Sequence, residues 1–408
     1  MISRRHLFGL AGATLALPRR AFAAAASDRK LVFVFAQGGW DPTRVFADGF
    51  DVSGVDMEPD AERATAGGIS YVDHPDRPSV RTFFEAHHAR SVVFDGVMVR
   101  SIAHEICTMI AMTGTSSGTS PDWPAAIAAN SADAYVLPHL VLGGPSFPGD
   151  LGVYVARTGA AGQLGALLDG SALQWSDSAV RSLRSPSESL VDAYVARRAA
   201  VRRDYAPTAV ERALAQDFDA AVGHMRELKD LRYAIDFSST GDADGEIGVL
   251  VDALAQGVCR CVTIGTGTAG AWDSHAQNDD TQSPLWESTF AGLLRLQEAI
   301  DAAGLTDETT VIVLSEMGRT PALNGLIGKD HWPFTSVLAF GAGLVGDRVV
   351  GGWDDSWYGR PVDPASGDLA DDGQTLSAEA VGATLLALCD IDPAEYVSGV
   401  EPIEGVLA

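Results

Sequence analysis

Apolar residues along this chain gather into short unbroken runs of strand length, separated by longer stretches where they recur every three or four positions. Leu31 to Ala36 is the clearest run, and its lack of polar alternation predicts a central strand covered on both faces. Gly38-Gly39 ends it and Asp41 follows. Ser91 to Val99 predicts a second strand, interrupted by Asp95-Gly96. It leads through Arg100 and Ser101 into a helical pattern that reaches Met112 and stops in the turn residues Thr113 to Pro121. Further strands are expected at Leu137 to Leu142, Cys259 to Ile264, Thr309 to Leu314 and Ser336 to Phe340. Helical periodicity marks Leu285 to Ala303 and a last helix near Leu376 to Leu388, and Pro207 to Asp236 predicts one long helix. Strands that alternate with helices imply an α/β fold, a central mostly parallel sheet sandwiched by helices, with a helical insertion at about 180–245.

The first residues follow a different logic. Arg4-Arg5 precedes a short, mildly apolar run from Leu7 to Pro18, and Arg19-Arg20 ends it well short of the ~20 apolar residues a spanning helix needs. Ala21-Phe22-Ala23 supplies small residues where a signal peptidase cuts. Residues 1–26 therefore predict a twin-arginine signal peptide, and 27–408 the mature domain, periplasmic or secreted, with the translocase as a partner during export and no transmembrane anchor afterwards.

Charge narrows the partners. The chain carries 29 basic and 54 acidic residues, a net charge of −25. Without the four leader arginines, 25 basic residues face the same 54 acidic ones, a net charge of −29. A phosphate backbone is repelled by that balance, so nucleic acid is not expected as a partner. The four cysteines are scattered and read as small buried residues, with neither a disulfide framework nor zinc-site spacing.

Asp41, Asp273 and Glu316 each fall just past the carboxyl end of a predicted strand, the edge on which parallel sheets bind ligands. His275 shares the Asp273 loop, and Asp330-His331 follows the Glu316 loop. Carboxylates and imidazoles converging on one edge suit a divalent metal, with zinc or manganese favoured and one or two ions held.

Gly38-Gly39-Trp40-Asp41, Trp272-Asp273-Ser274-His275, Ser315-Glu316-Met317-Gly318-Arg319-Thr320-Pro321 with Asn324, and Gly328-Lys329-Asp330-His331 resemble the ordered blocks of the twin-arginine-exported "domain of unknown function 1501" proteins. That family is related to the alkaline phosphatase and sulfatase superfamily, in which two metals sit at strand ends and an activated Ser, Thr or modified Cys attacks a phosphate or sulfate ester. The resemblance implies that Asp41 bridges metal and nucleophile and that Asp273, His275 and His331 ligate the second metal. Glu316 matches an Asp that the superfamily follows with a ligating His; here Met317 follows, a poor ligand for a hard cation, and Asp330 is the substitute at hand.

Ser101, between a strand and a helix, is the expected nucleophile, with an ordinary helix cap as the competing role and Thr113, Thr115 and Ser116 as alternatives. His104, one turn on, is expected as general base or third-site ligand, and Arg319 as the cation that neutralises an anionic substrate. The expected function is metal-dependent hydrolysis of a small phosphate or sulfate ester. Its rival is a noncatalytic exported protein that keeps the fold and a metal for binding an envelope component.

Overall fold

The computed structural model describes residues 29–159, 163–165, 185–231, 235–237 and 243–408. The leader expected at 1–26 lies outside the described residues, as does part of the expected insertion. The predicted central run, Leu31 to Ala36, lies in β1 (Lys30–Ala36). A hairpin of β2 (Glu62–Ala66) and β3 (Ile69–Asp73) follows, then α1 (Pro78–His87), β4 (Ser91–Met98), α2 (His104–Thr113) and α3 (Trp123–Ala129). Two short strands, β5 (His139–Val141) and β6 (Val155–Arg157), precede a pair of long helices, α4 (Ser185–Tyr205) and α5 (Ala209–Leu231). The chain continues as α6 (Ala243–Ala255), β7 (Cys261–Gly265), α7 (Asn278–Ala302) and β8 (Thr309–Ser315). It closes with β9 (Gly318–Arg319), β10 (His331–Trp332), β11 (Phe334–Gly341), β12 (Arg348–Gly351) and α8 (Ala378–Ala387).

Eight strands make the main sheet in the order β12-β4-β11-β8-β1-β7-β5-β6. β1 pairs in parallel with β7 and β8 on its two sides, which explains why all its residues from Leu31 onward are buried. β11 alone runs against its neighbours, β4 and β8. Helices cover both faces: one apolar layer packs Trp286, Phe290 and Leu293 of α7 and Phe83 and Phe84 of α1 on the sheet, the other packs Trp123 of α3 and Leu385 and Leu386 of α8. The fold is thus the α/β sandwich that the alternating pattern predicts.

Differences from the sequence reading have physical reasons. The long helix expected at 207–236 is the second arm of a hairpin, because Pro207 fixes a turn between α4 and α5. α7 starts at Asn278, seven residues before the expected Leu285, with Pro284 tolerated inside its second turn.

One consequence of the topology places the chemistry. The loops after β1, β4, β7 and β8 leave the sheet at its carboxyl edge. Since β11 is reversed, the residues before it arrive at that same edge, and His331 comes with them.

Candidate metal centre

Gly38, at φ +126°, begins the loop after β1, and a Cβ there would stand 2.6 Å from the Asp273 amide nitrogen. Only glycine lets the two loops approach this closely. Gln282 of α7 locks them together, its amide donating to the carbonyls of Gly39 (3.1 Å) and Trp272 (2.8 Å). Arg319 completes the clasp. Fully buried, its guanidinium donates to the carbonyls of Gly38, Gly39, Trp272 and Lys329 and to Asp273 Oδ1 at 2.7 Å. Burial pushes the Asp273 carboxyl up, but this hydrogen bond and charge outweigh it and hold the group below its ordinary range.

Three imidazoles gather around Asp273. Ligand atoms of His104, Asp273 and His331 all lie within 4.8 Å of one another. His104 Nε2 is 3.5 Å from Asp273 Oδ2, while His275 Nε2 and His331 Nε2 are 3.2 and 3.4 Å from Oδ1. The far nitrogen of each ring is fixed. His104 Nδ1 pairs with Glu316 Oε1 at 2.9 Å, His275 Nδ1 with Asp330 Oδ1 at 2.9 Å, and His331 Nδ1 with the Ile102 carbonyl at 2.7 Å. Carboxylates and carbonyls only accept, so each Nδ1 carries a proton and each ring turns its Nε2 toward Asp273. Two of those nitrogens, on His275 and His331, stand 2.9 Å apart. His104 Nε2 is buried and has no hydrogen-bond partner.

This arrangement fits a divalent cation. Three inward-facing imidazole nitrogens and one carboxylate make a donor set of the kind that holds a divalent ion. The outer acceptors are the usual supports of metal-bound histidine, fixing tautomer and ring orientation. Hydrogen bonding to Glu316 raises the His104 imidazole, which makes it a better donor. The Asp273 and His275 side chains are 35% and 46% exposed, so a ligand from solution can reach the group.

The residues singled out in the sequence divide into three groups. Asp273, His275, His331 and His104 are brought together, His104 facing Asp273 as a fourth member. Glu316 and Asp330 stand behind the imidazoles: Glu316 is fully buried and also accepts the Gly38 amide (2.8 Å), and Asp330 is held by Asn324 (3.2 Å) as well as His275. Asp41 and Arg319 are turned inward. Asp41 is fully buried, and its oxygens are taken by Thr43 (2.7 Å), Asn278 (2.9 Å) and Lys329 Nζ (2.9 Å), with Arg44 at 3.5 Å. Burial alone would raise its carboxyl; Lys329 and then Arg44 outweigh that and bring it to about 2. Its expected place beside a metal is filled by an ammonium group, and Arg319, expected to meet substrate, is spent on the loops. A guanidinium with five donors finds better partners in four carbonyls and a carboxylate than in solvent.

Ser101 sits on the β4–α2 link, where its Oγ accepts the Ala103 amide at 3.2 Å. The helix cap itself is Ala103. Thr113, Thr115 and Ser116 lie at or past the other end of α2, about 14 Å along the axis from His104. Met317 is fully buried among Val99, Cys107 and Ile110, an apolar role consistent with its being no ligand. Lys329, Gln282 and the Ile102 carbonyl were not visible as site components in the sequence. The signal nearest to legible was Lys329, a cation directly before Asp330-His331.

A family model described as "Protein of unknown function (DUF1501)" matches residues 28–400. No curated protein matches the chain. Among solved structures, the lipoteichoic acid synthase LtaP from Listeria monocytogenes is similar at 8% identity, with 94% of this chain and 77% of that one covered and a TM-score of 0.44. A putative sulfatase from Bacteroides thetaiotaomicron is similar at 9% identity, 92% and 74% coverage and a TM-score of 0.37. A protein in the alkaline phosphatase superfamily from Vibrio parahaemolyticus is similar at 8% identity, 89% and 67% coverage and a TM-score of 0.36. No helix among the described residues is long and apolar enough to cross a membrane.

Proposed function

Starting from the premise that this chain belongs to the DUF1501 family, we propose that it holds one divalent ion on His104, Asp273, His275 and His331 and hydrolyses small phosphate or sulfate esters after export. The observation that carries the reading is the convergence of three outwardly anchored imidazoles on a single exposed carboxylate. One ion rather than two follows from Asp41, whose carboxylate is neutralised by Lys329. When bound, a divalent ion supplies Lewis-acid stabilisation of charge developing on an ester oxygen.

The chain's own residues do the rest. Arg319 keeps Asp273 ionised and aimed outward. Glu316 and Asp330 hold the Nδ1 protons of His104 and His275, so that the Nε2 atoms remain donors. Ser101 is the hydroxyl offered by the loop that also fixes His331 through Ile102, and it is the proposed nucleophile. Export rests on Arg4-Arg5 and the short apolar run behind them, and comparing periplasmic with cytoplasmic fractions for the full chain and an Arg4→Lys/Arg5→Lys variant tests it.

Metal analysis of the purified protein beside Asp273→Ala and His331→Ala tests the site. Stoichiometric metal in the parent and loss in both variants is expected; equal content in all three discards the site. A panel of phosphate monoester, phosphodiester and sulfate ester substrates then tests hydrolysis, with Ser101→Ala expected to keep metal and lose turnover.

A second reading, a metal-binding envelope protein without turnover, is favoured by the burial of Arg319. With its donors used up, it offers nothing to an anionic ester. Metal without hydrolysis of any ester in the panel selects this reading.

A further inference from the structure

The site makes no use of the α4–α5 hairpin, yet its surface is unusual. Each helix has the other as its main packing partner. Ala199 of α4 is fully buried, and Val222 and Leu228 of α5 are buried. At about 100° per residue, Leu190, Tyr194, Val201 and Tyr205 fall within roughly 60° of arc on the side of α4 away from Ala199. They are 73%, 54%, 42% and 82% exposed. On α5, Val210, Leu214 and Phe218, spaced by four, are 70%, 63% and 46% exposed. Near the turn the two stripes meet, and Val201, Tyr205, Leu214 and Phe218 line a groove of about 650 Å³.

We infer that this face is where a second copy of the chain docks, two hairpins packing about a twofold axis as a four-helix unit. Three observations select that occupant. The stripes present seven apolar side chains that are 42–82% exposed, and stable interfaces bury ~800 Å² per partner. Monomeric proteins rarely leave such a patch open. The rims are complementary to themselves: α4 carries exposed Arg197, Arg198 and Arg202, and α5 carries exposed Glu211 and Asp217, so a twofold axis that lays α4 of one copy on α5 of the other pairs opposite charges. An anionic bilayer is the poorer match, because the chain as a whole carries a net charge of −25. The inference is independent of the metal site.

Sedimentation velocity of the full protein over a wide concentration range is the test. The parent is expected to form a dimer, and Tyr205→Glu/Leu214→Glu to weaken it by at least ~100-fold, since two central anchors are lost. Arg198→Glu/Arg202→Glu is expected to weaken the dimer as well, with Asp217→Arg restoring part of it. Circular dichroism checks that the helices persist; where the glutamate pair loses helicity, Tyr205→Ser/Leu214→Ser gives the same readout. A parent that stays monomeric, or a dimer indifferent to the Tyr205 and Leu214 changes, overturns the inference. A monomer that co-sediments with phosphatidylglycerol vesicles overturns it in favour of a lipid surface.

Discussion

Lys329→Met tests whether the inward carboxylate acts apart from the proposed metal centre. Lys329 Nζ lies 2.9 Å from Asp41 Oδ2 and 3.0 Å from Thr43 Oγ1, and both charged side chains are fully buried. At that distance an effective dielectric constant near 20 gives an attraction of about 6 kcal/mol, most of which offsets the desolvation of the two ions. Removing the ammonium keeps the desolvation of Asp41 and discards its main partner. Stripping one member of a buried pair costs about 3–5 kcal/mol, and Arg44 at 3.5 Å places the expected loss near the lower end, about 3 kcal/mol. Asp41→Asn alone is expected to destabilise as well, by leaving Lys329 unpaired, while Asp41→Asn/Lys329→Met recovers most of the loss. Urea unfolding of the four proteins at pH 7 gives the cycle directly. Metal content should be the same in all four. A Lys329→Met cost below about 1 kcal/mol refutes the electrostatic reasoning, and loss of metal in Asp41→Asn refutes the separation of Asp41 from the centre.

Three further outcomes follow from the geometry. Glu316→Gln, which replaces the buried acceptor of His104 Nδ1–H, should weaken metal affinity by about 10–100-fold by competition titration, and more than Asp330→Asn, whose side chain is 59% exposed. Gly38→Ala puts a Cβ 2.6 Å from the Asp273 amide at a backbone angle that disfavours side chains, so both stability and metal content should fall; unchanged metal content would show that the loop moves freely. Asp95, on β4 between β12 and β11, is buried with its carboxyl hydrogen-bonded to Ser336 (2.5 Å), and burial raises it to about 6 from the ordinary 3.8. The folded state then binds more protons than the unfolded one between those values, so stability declines as pH rises from about 4 to 6, by about 3 kcal/mol from this group. Asp122, raised by burial to about 6, adds a slope of the same sign, so Asp95→Asn should reduce the decline in unfolding free energy over that range without abolishing it.

The sequence determined the parts of this protein that depend on neighbours along the chain. Apolar runs such as Leu31 to Ala36 and Val311 to Leu314 specify strands because a strand covered on both faces buries side chains of both parities. Asp273, His275 and Glu316 could be placed at one edge because in a parallel sheet every strand delivers its following loop to the same side. What the tertiary structure decided is which way each side chain turns there. Asp41 and Lys329 are 288 positions apart and show no sign of each other in the sequence, yet they pair, and the Asp41 oxygens are taken up away from the imidazole cluster. Arg319 reads as an anion binder until four carbonyls from three loops are seen to take its donors. His104 joins the imidazoles through the position of α2, and His331 through the reversal of β11, a matter of sheet order. Local pattern follows from short-range sterics and burial; the partner of a buried charge is set by long-range packing, which no stretch of chain encodes alone.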